Sequence, residues 1–365
     1  MIVCGWSGEW DSALRSALER CKSRRLPMYW ASRGEPKDAA NRLISLRGAE
    51  KIGIESADAF FVTLREKVIA LQDFDRPHPL SARVGVATVK RYLEDGRQRI
   101  ALRDLIARET ERVYAEITPK NRFPTGADAP TDTEVQRRIG QYDSQVGILA
   151  AMVATGCYWG GHESVWSDSL RRIANIPEDG GGYLVWLAAR YYPALVILYA
   201  GGLGAIASQN YSALRALLEV KVRESDHEES VTRKVNNQIV LSEGARLLRP
   251  GVKTPVSDHL HAVLREPLLE YLPDDREYDR CFDVLEYVVA LVYVDDFLLQ
   301  ASQTPGAPVG RFWWRRDVVN QLGADIDKDP TNWPILKAGL FGASGERLRK
   351  AKAVVHDVLA RLSPW

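Results

Sequence analysis

The sequence predicts two architectures in one chain, an α/β unit over about residues 1–75 and a large all-helical unit over 76–365. Three observations lead there. The first seventy-odd residues alternate short apolar runs with amphipathic stretches, nearly everything after them keeps helical spacing, and period-two alternation is scarce.

Ile2–Cys4 is the first strand, and it ends at Gly5-Trp6-Ser7-Gly8. A helix follows over Ser12–Cys21, with Leu14, Leu18 and Cys21 at helical spacing. Pro27-Met28-Tyr29-Trp30-Ala31 makes a second buried strand. Pro36 stands near the start of the next helix, where its missing N–H does least harm, and Gly48 stops that helix after Arg47. Glu50–Ile54 is the third strand, and Ser56 caps a helix over Ala57–Leu71.

This order implies parallel strands joined by right-handed crossovers, an incomplete Rossmann-like half-domain. Doubly wound sheets usually have five or six strands and hold their ligand where strand order reverses. Three strands and three short helices make a poor independent core, and the strand holding Val3 has an edge that should be paired. The expectation is the second half of a domain. Either the reading frame begins upstream of Met1, or the first half comes from another polypeptide or a homo-oligomer partner.

Asp73–Pro79 (DFDRPHP) reads as a linker. Val84–Leu93 and Leu102–Ile117 form an amphipathic pair around Gly96, and a polar loop then runs to an N-cap at Thr131 or Thr133. Further helices are expected over Glu134–Thr155, Ser164–Asn175, Tyr183–Ala207 with a bend at Pro193, Tyr211–Arg223 and Glu229–Leu248. The remaining ones are Val256–Tyr271, Asp279–Gln300, Arg316–Gln321 and Ser344–Leu362. No repeat of fixed period points to a solenoid.

Composition narrows the function classes. With 49 basic and 48 acidic residues, the chain has no field to draw in nucleic acid or an anionic membrane. Cys4, Cys21, Cys157 and Cys281 lie far apart, which suits a reducing cytoplasm better than a disulfide framework. Tyr183–Ala207 is long enough to span a bilayer, but Arg190, Pro193, Gly201, Gly202 and Gly204 interrupt it. Val284–Leu299 carries Glu286, Asp295 and Asp296. Both read as buried helices of a cytoplasmic bundle, with no membrane partner.

The stretches VCGWSGEWD, YWASRGEP and ESADAFFVTLREKV, in this order, resemble the C-terminal half of bacterial sirtuin-like domains of the antiphage-defence type. The resemblance covers Met1–Leu71. It implies that Gly5, Trp6 and Ser7 occupy the Gly-Thr-Ser type motif that touches NAD ribose and phosphate, with Asp11 as the acidic residue trailing it. Where the family's next strand ends in Ile-Asn, this chain has Ala31-Ser32. Ser56, Ala57 and Asp58 match the turn whose backbone lies near adenine. The family's Gly-Ala-Gly phosphate loop, the Asn or Asp orienting nicotinamide and the catalytic His have no counterpart in the sequence. The implied activity is hydrolysis of NAD by a completed domain, with this chain inactive alone and the helical region acting in sensing or oligomerisation. The alternative is a non-catalytic helical interaction module that keeps a vestigial nucleotide fold.

Other chemistry-bearing residues read mostly as structural. His78, in the linker, is the histidine placed to approach the nucleotide crevice. His162 reads as a cap or packing residue, and His227 and His356 as solvent-facing. His259 and His261, two apart on a helix, point in different directions and make no metal pair. Glu228-Glu229 reads as a solvated helix start and Asp295-Asp296 as a salt-bridge site. Asp179-Gly180-Gly181-Gly182 reads as an interhelical turn. Arg311-Phe312-Trp313-Trp314-Arg315-Arg316 reads as packing at a domain junction, and Trp159, Trp166, Trp186 and Trp333 as core.

Overall fold

A computed structural model describes residues 1–21, 27–74, 81–126, 129–177, 181–224, 227–300 and 306–362. The chain divides into two compact units, Met1–Pro79 and Leu80–Trp365.

The first unit runs β1 (Ile2–Cys4), α1 (Ser12–Arg20), β2 (Tyr29–Ser32), α2 (Asp38–Arg47), β3 (Glu50–Gly53) and α3 (Ala57–Phe74). The strands lie in the order β1-β2-β3, all parallel, with Val3, Trp30 and Lys51 in one row. Three local devices set the boundaries. Asp11 caps α1 by accepting from the Leu14 N–H, and Ser56 Oγ accepts from Ala59 N–H at the start of α3. Gly48 closes α2 in the left-handed region at φ +60°, where a side chain would be strained. Trp30 is the centre of a small core with Ala40, Leu43 and Ile44, closed by Val3, Trp6, Leu18 and Ala49. Helix α1 buries none of its residues. Among the described residues β1 and β3 each pair only with β2, so the sheet has two open edges.

The second unit is helical: α4 (Ala82–Glu94), α5 (Arg99–Ile117), α6 (Asp132–Trp159), α7 (Glu163–Ala174), α8 (Leu184–Ala189), α9 (Tyr192–Ala207) and α10 (Tyr211–Leu218). After a hairpin of β4 (Lys221–Glu224) and β5 (His227–Ser230) come α11 (Val231–Lys234), α12 (Ala245–Leu248) and α13 (Pro255–Arg265). The unit ends with α14 (Asp275–Gln300), α15 (Arg316–Lys328), α16 (Pro334–Lys337) and α17 (Gly345–Arg361). Thr131 caps α6, its hydroxyl accepting from the Glu134 N–H at 3.3 Å.

Helix α9 is apolar on all sides because it is surrounded: every residue but Ala207 is buried, and α6, α7, α10, α13 and α14 all touch it. Leu184–Ala207 is the stretch among the described residues long and apolar enough to cross a membrane, and 72% of its apolar 18-residue window is buried inside the protein. Its glycines allow the close approach. A Cβ on Gly204 would lie 2.3 Å from the Ala154 carbonyl oxygen of α6, and one on Gly202 would lie 2.6 Å from Leu285 of α14.

Several expected elements are corrected. The single bent helix over 183–207 is two helices, broken at Arg190-Tyr191. Pro193 stands in the first turn of α9, where its missing N–H breaks no bond. The helix expected over Tyr211–Arg223 stops at Leu218, because buried Val220 and Val222 alternate with exposed Lys221 and Arg223 as strand β4. The helix expected over Glu229–Leu248 is β5, α11 and a turn. There Asn236 Oδ1 accepts from the N–H groups of Gln238 and Ile239, offering the backbone an alternative to helix. Glu228-Glu229 therefore lies on a strand, not at a helix start. Helix α13 ends at Arg265 instead of Tyr271, and α15 continues past Gln321 to Lys328. Trp159, at the end of α6, is 60% exposed and is no core residue, whereas Trp166, Trp186 and Trp333 are buried. Helix α3 continues to Phe74, into the expected linker; the rest of that linker, with His78, and residues 178–180 lie outside the described residues.

Substitution of Gly204 by Ala forces a methyl group onto the α6 backbone, and is expected to lower stability by about 2 kcal/mol. Gly140, exposed on α6 with open space around it, gives the opposite sign: Gly140→Ala is expected to add up to ~1 kcal/mol through helix propensity. Urea unfolding of the two variants checks the pair, and a Gly204→Ala protein as stable as the parent would contradict the packing of α9 on α6.

Candidate functional sites in the two units

In the first unit, the parallel register carries all the predicted site residues to the same edge, the carboxyl ends of the three strands. Gly5, Trp6 and Ser7 follow β1, Ala31 and Ser32 end β2, and Ser56, Ala57 and Asp58 follow β3. Gly5 and Gly8 adopt φ +71° and +76°. A Cβ on Gly8 would meet Ala40 N at 3.3 Å, so the loop lies against the start of α2. Trp6 stacks on Trp30 with ring centroids 5.7 Å apart.

Most polar side chains on this edge are already engaged locally. Ser7 Oγ accepts from the Glu9 N–H, Asp11 caps α1, Ser32 Oγ donates to the Gly34 carbonyl at 2.8 Å, and Ser56 caps α3. Lys37 pairs with Glu9 at 3.2 Å, and Arg15 donates to the Gly8 carbonyl. What remains open to a ligand is the exposed Gly5 backbone, the exposed first turn of α3 with Ala57 and Asp58, and Arg33. Arg33 directly follows β2, is exposed, and has no ion pair among the described residues; sequence reading passed over it. Among the described residues the edge has no glycine-rich loop and little positive charge.

The second unit holds a denser arrangement. Glu286, in the middle of α14, is fully buried. Its Oε1 accepts from Ser257 Oγ of α13, from Asn237 Nδ2 at 3.1 Å and from Tyr199 OH of α9 at 3.2 Å. Its Oε2 accepts from the Arg311 backbone N–H at 2.6 Å. Burial outweighs these bonds and pushes the Glu286 carboxyl up to about 7. One turn earlier on α14, burial raises Asp283 to about 6 against the pull of Arg315, which bonds it at 3.0 Å.

Beside this carboxylate runs a chain of ion pairs. Arg315 also meets Asp279 at 2.9 Å, and buried Arg311 lies 3.4 Å from Asp279 and 3.8 Å from Asp258. His261 bonds Asp279 at 2.7 Å, yet burial, helped by Arg311, holds the imidazole below its ordinary range. His259 bonds Asp143 at 2.8 Å, and Asp143 also accepts from Tyr192 OH at 2.6 Å. Each histidine thus has its own carboxylate, and no cluster of three or more metal-ligating side chains occurs among the described residues. Arg311 and Phe312 are buried in the helical unit, Phe312 in its apolar core. Asp295 pairs with Arg347 through two bonds, and Asp296 lies 3.7 Å from Lys221. His356 is half-buried and bonds Tyr287 OH at 3.0 Å, which corrects its reading as solvent-facing; His227 is exposed.

Over the Glu286 centre opens a cavity of about 710 Å³, lined among others by Asn237, Arg246, Lys253, Thr254, Ser257 and Val309. Asn237 and Ser257 belong to both, since each lines the cavity and bonds Glu286. The sequence does hold a signal for this centre: Glu286 is the lone acid within the apolar run VLEYVVALVYV.

Compared with protein-family models, with curated proteins and with solved structures, the chain matches none.

The Glu286 carboxyl makes stability depend on pH. Its value in the folded protein, about 7, lies above the ordinary 4.5, so the folded state keeps a proton that the unfolded state releases. That contribution is fully present below pH 4.5 and is lost as pH rises through 7. The gap corresponds to ~3 kcal/mol. Glu286→Gln cannot ionise, so between pH 4.5 and 8 the parent is expected to lose about 3 kcal/mol more than the variant in urea unfolding. Parallel curves would mean that Glu286 ionises as freely as it does in water.

Proposed function

We propose that this chain is a sirtuin-like, NAD-processing protein of the cytoplasm, whose three-strand unit forms the ribose and adenine side of an NAD site. The observation that carries the reading is the convergence of the three motifs on the carboxyl edge of adjacent parallel strands. Nucleotides bind α/β sheets at that edge, held by backbone and helix N-termini. Exposed Arg33 adds a charge on this edge suited to a phosphate oxygen.

The site is incomplete as a catalyst. No histidine occurs among the described residues of the first unit, and no glycine-rich phosphate loop follows any of its strands. Water attack at the nicotinamide ribose requires a base and stabilisation of a developing oxocarbenium charge. A second polypeptide or a second copy of the chain would supply these groups, adding its strands beside β1. The free edge of β1, with exposed Ile2, Trp10 and Leu14 around it, is the surface such a partner would cover. The helical unit, with its own buried ionisable centre and cavity, then serves sensing or assembly.

A second reading draws on the local engagement of Ser7, Asp11, Ser32 and Ser56. In it the sheet is vestigial and the protein is a helical interaction module without a cofactor. Calorimetric titration with ADP-ribose separates the two. Binding is expected, weakened about tenfold in Arg33→Gln through loss of a charge-assisted bond, and absence of heat favours the vestigial reading. Mass spectrometry of NAD incubated with the purified chain is expected to show no loss, and brisk turnover would overturn the claim that a partner must complete the site.

A further inference from the structure

The cavity over Glu286 has the chemistry of an anion site. Its volume of about 710 Å³ lies in the range that holds a small-molecule ligand. Among the described residues no carboxylate lines it, whereas Arg246 and Lys253 do, both exposed, and Arg246 has no ion-pair partner among the described residues. Lys253 has no ion pair among the described residues, and its ammonium lies over the Trp313 ring at 5.6 Å.

The first turn of α13 opens into the same cavity through Pro255, Val256 and Ser257. Thr254, at the cap position, does not serve the N–H groups of that turn, because its hydroxyl donates to Asp258 Oδ2 at 2.7 Å. The Val256 and Ser257 amides thus lack a side-chain cap and add the positive end of the helix dipole. An independent feature is Asn237, whose side chain is more than nine-tenths buried in the cavity wall. Its Nδ2 is fixed on Glu286, so the amide cannot turn, and its Oδ1 has no hydrogen-bond partner. A buried acceptor left without a donor is unfavourable. Glu286 does not oppose an anion here: it is not among the lining residues, and its oxygens are occupied by Ser257, Asn237, Tyr199 and the Arg311 amide.

We infer that this cavity binds a small phosphorylated metabolite, a sugar phosphate or nucleoside monophosphate. Its phosphate is held by Arg246, Lys253 and the first turn of α13, beside Asn237 in the cavity wall. The proposal is independent of the nucleotide reading of the sheet.

The full chain is titrated with ribose 5-phosphate and with AMP, with adenosine as the phosphate-free control, by calorimetry and by hydrogen exchange with peptide resolution. At least one of the two phosphates is expected to bind, to protect peptides within 237–257, and to bind more weakly as sodium chloride rises. Arg246→Gln/Lys253→Gln is expected to weaken that binding tenfold or more while leaving the melting temperature unchanged, since both side chains are exposed. Absence of binding by both phosphates at millimolar concentration would overturn the proposal. So would equal binding of adenosine, unchanged affinity in the double variant, or protection confined to residues 1–60. That last result would leave the sheet reading standing, so the two claims fail separately.

Discussion

A carboxylate taken out of water must find donors or give up its charge, and Glu286 draws its donors from four separate places in the chain, one of them 87 residues away. Through it α9, α13, α14, the turn after α11 and the turn at Arg311 are held to one arrangement. The constraint reaches the backbone itself: a Cβ on Gly310 would lie 2.1 Å from the Glu286 oxygens, so only glycine lets the Arg311 amide come close enough to donate. An apolar residue at 286 would fill the space but would leave Asn237 Nδ2 without its acceptor and the Arg311 N–H with Ser257 Oγ alone, at 3.1 Å. The network fixes which face of α14 points inward more firmly than apolar packing alone would.

The same centre borders the cavity of the helical unit. Asn237 and Ser257 both bond Glu286 and line the cavity, so the network forms part of its wall. The adjoining ladder of Asp258, Asp279, Asp283, Arg311 and Arg315 keeps further charge satisfied within the protein. The sheet unit works differently. Its core is little more than Trp30 against α2, and its side-chain hydroxyls are turned inward to caps and turns. The groups left exposed and unengaged at that edge are backbone and Arg33.

Local chemistry was legible in the sequence wherever a few neighbouring residues decide the outcome. Asp11 and Ser56 capping their helices, Gly48 ending α2, and the three strands of the first unit all follow from such short-range rules. The stretch from Glu219 to Gly244 was not legible, because its helix-favouring composition is overridden by burial of Val220 and Val222 and by the Asn236 turn. The role of Glu286 was visible only as an oddity, an acid in an apolar run. Its donors lie at separations of 25, 29, 49 and 87 residues, and no periodicity links them. The edge of the sheet was legible as a place, through strand order, but not in its detail: Arg33 and the prior engagement of Ser7 and Ser32 emerge only from the folded geometry.

The organising role of the buried carboxyl is open to direct observation. A carbon-13 NMR titration of the Glu286 side-chain carboxyl, assigned by the signal missing from Glu286→Gln, reads its proton without reference to unfolding. The account predicts a midpoint near 7. A midpoint at the ordinary glutamate value of ~4.3 would contradict it, because the group would then be as well solvated as one on the surface.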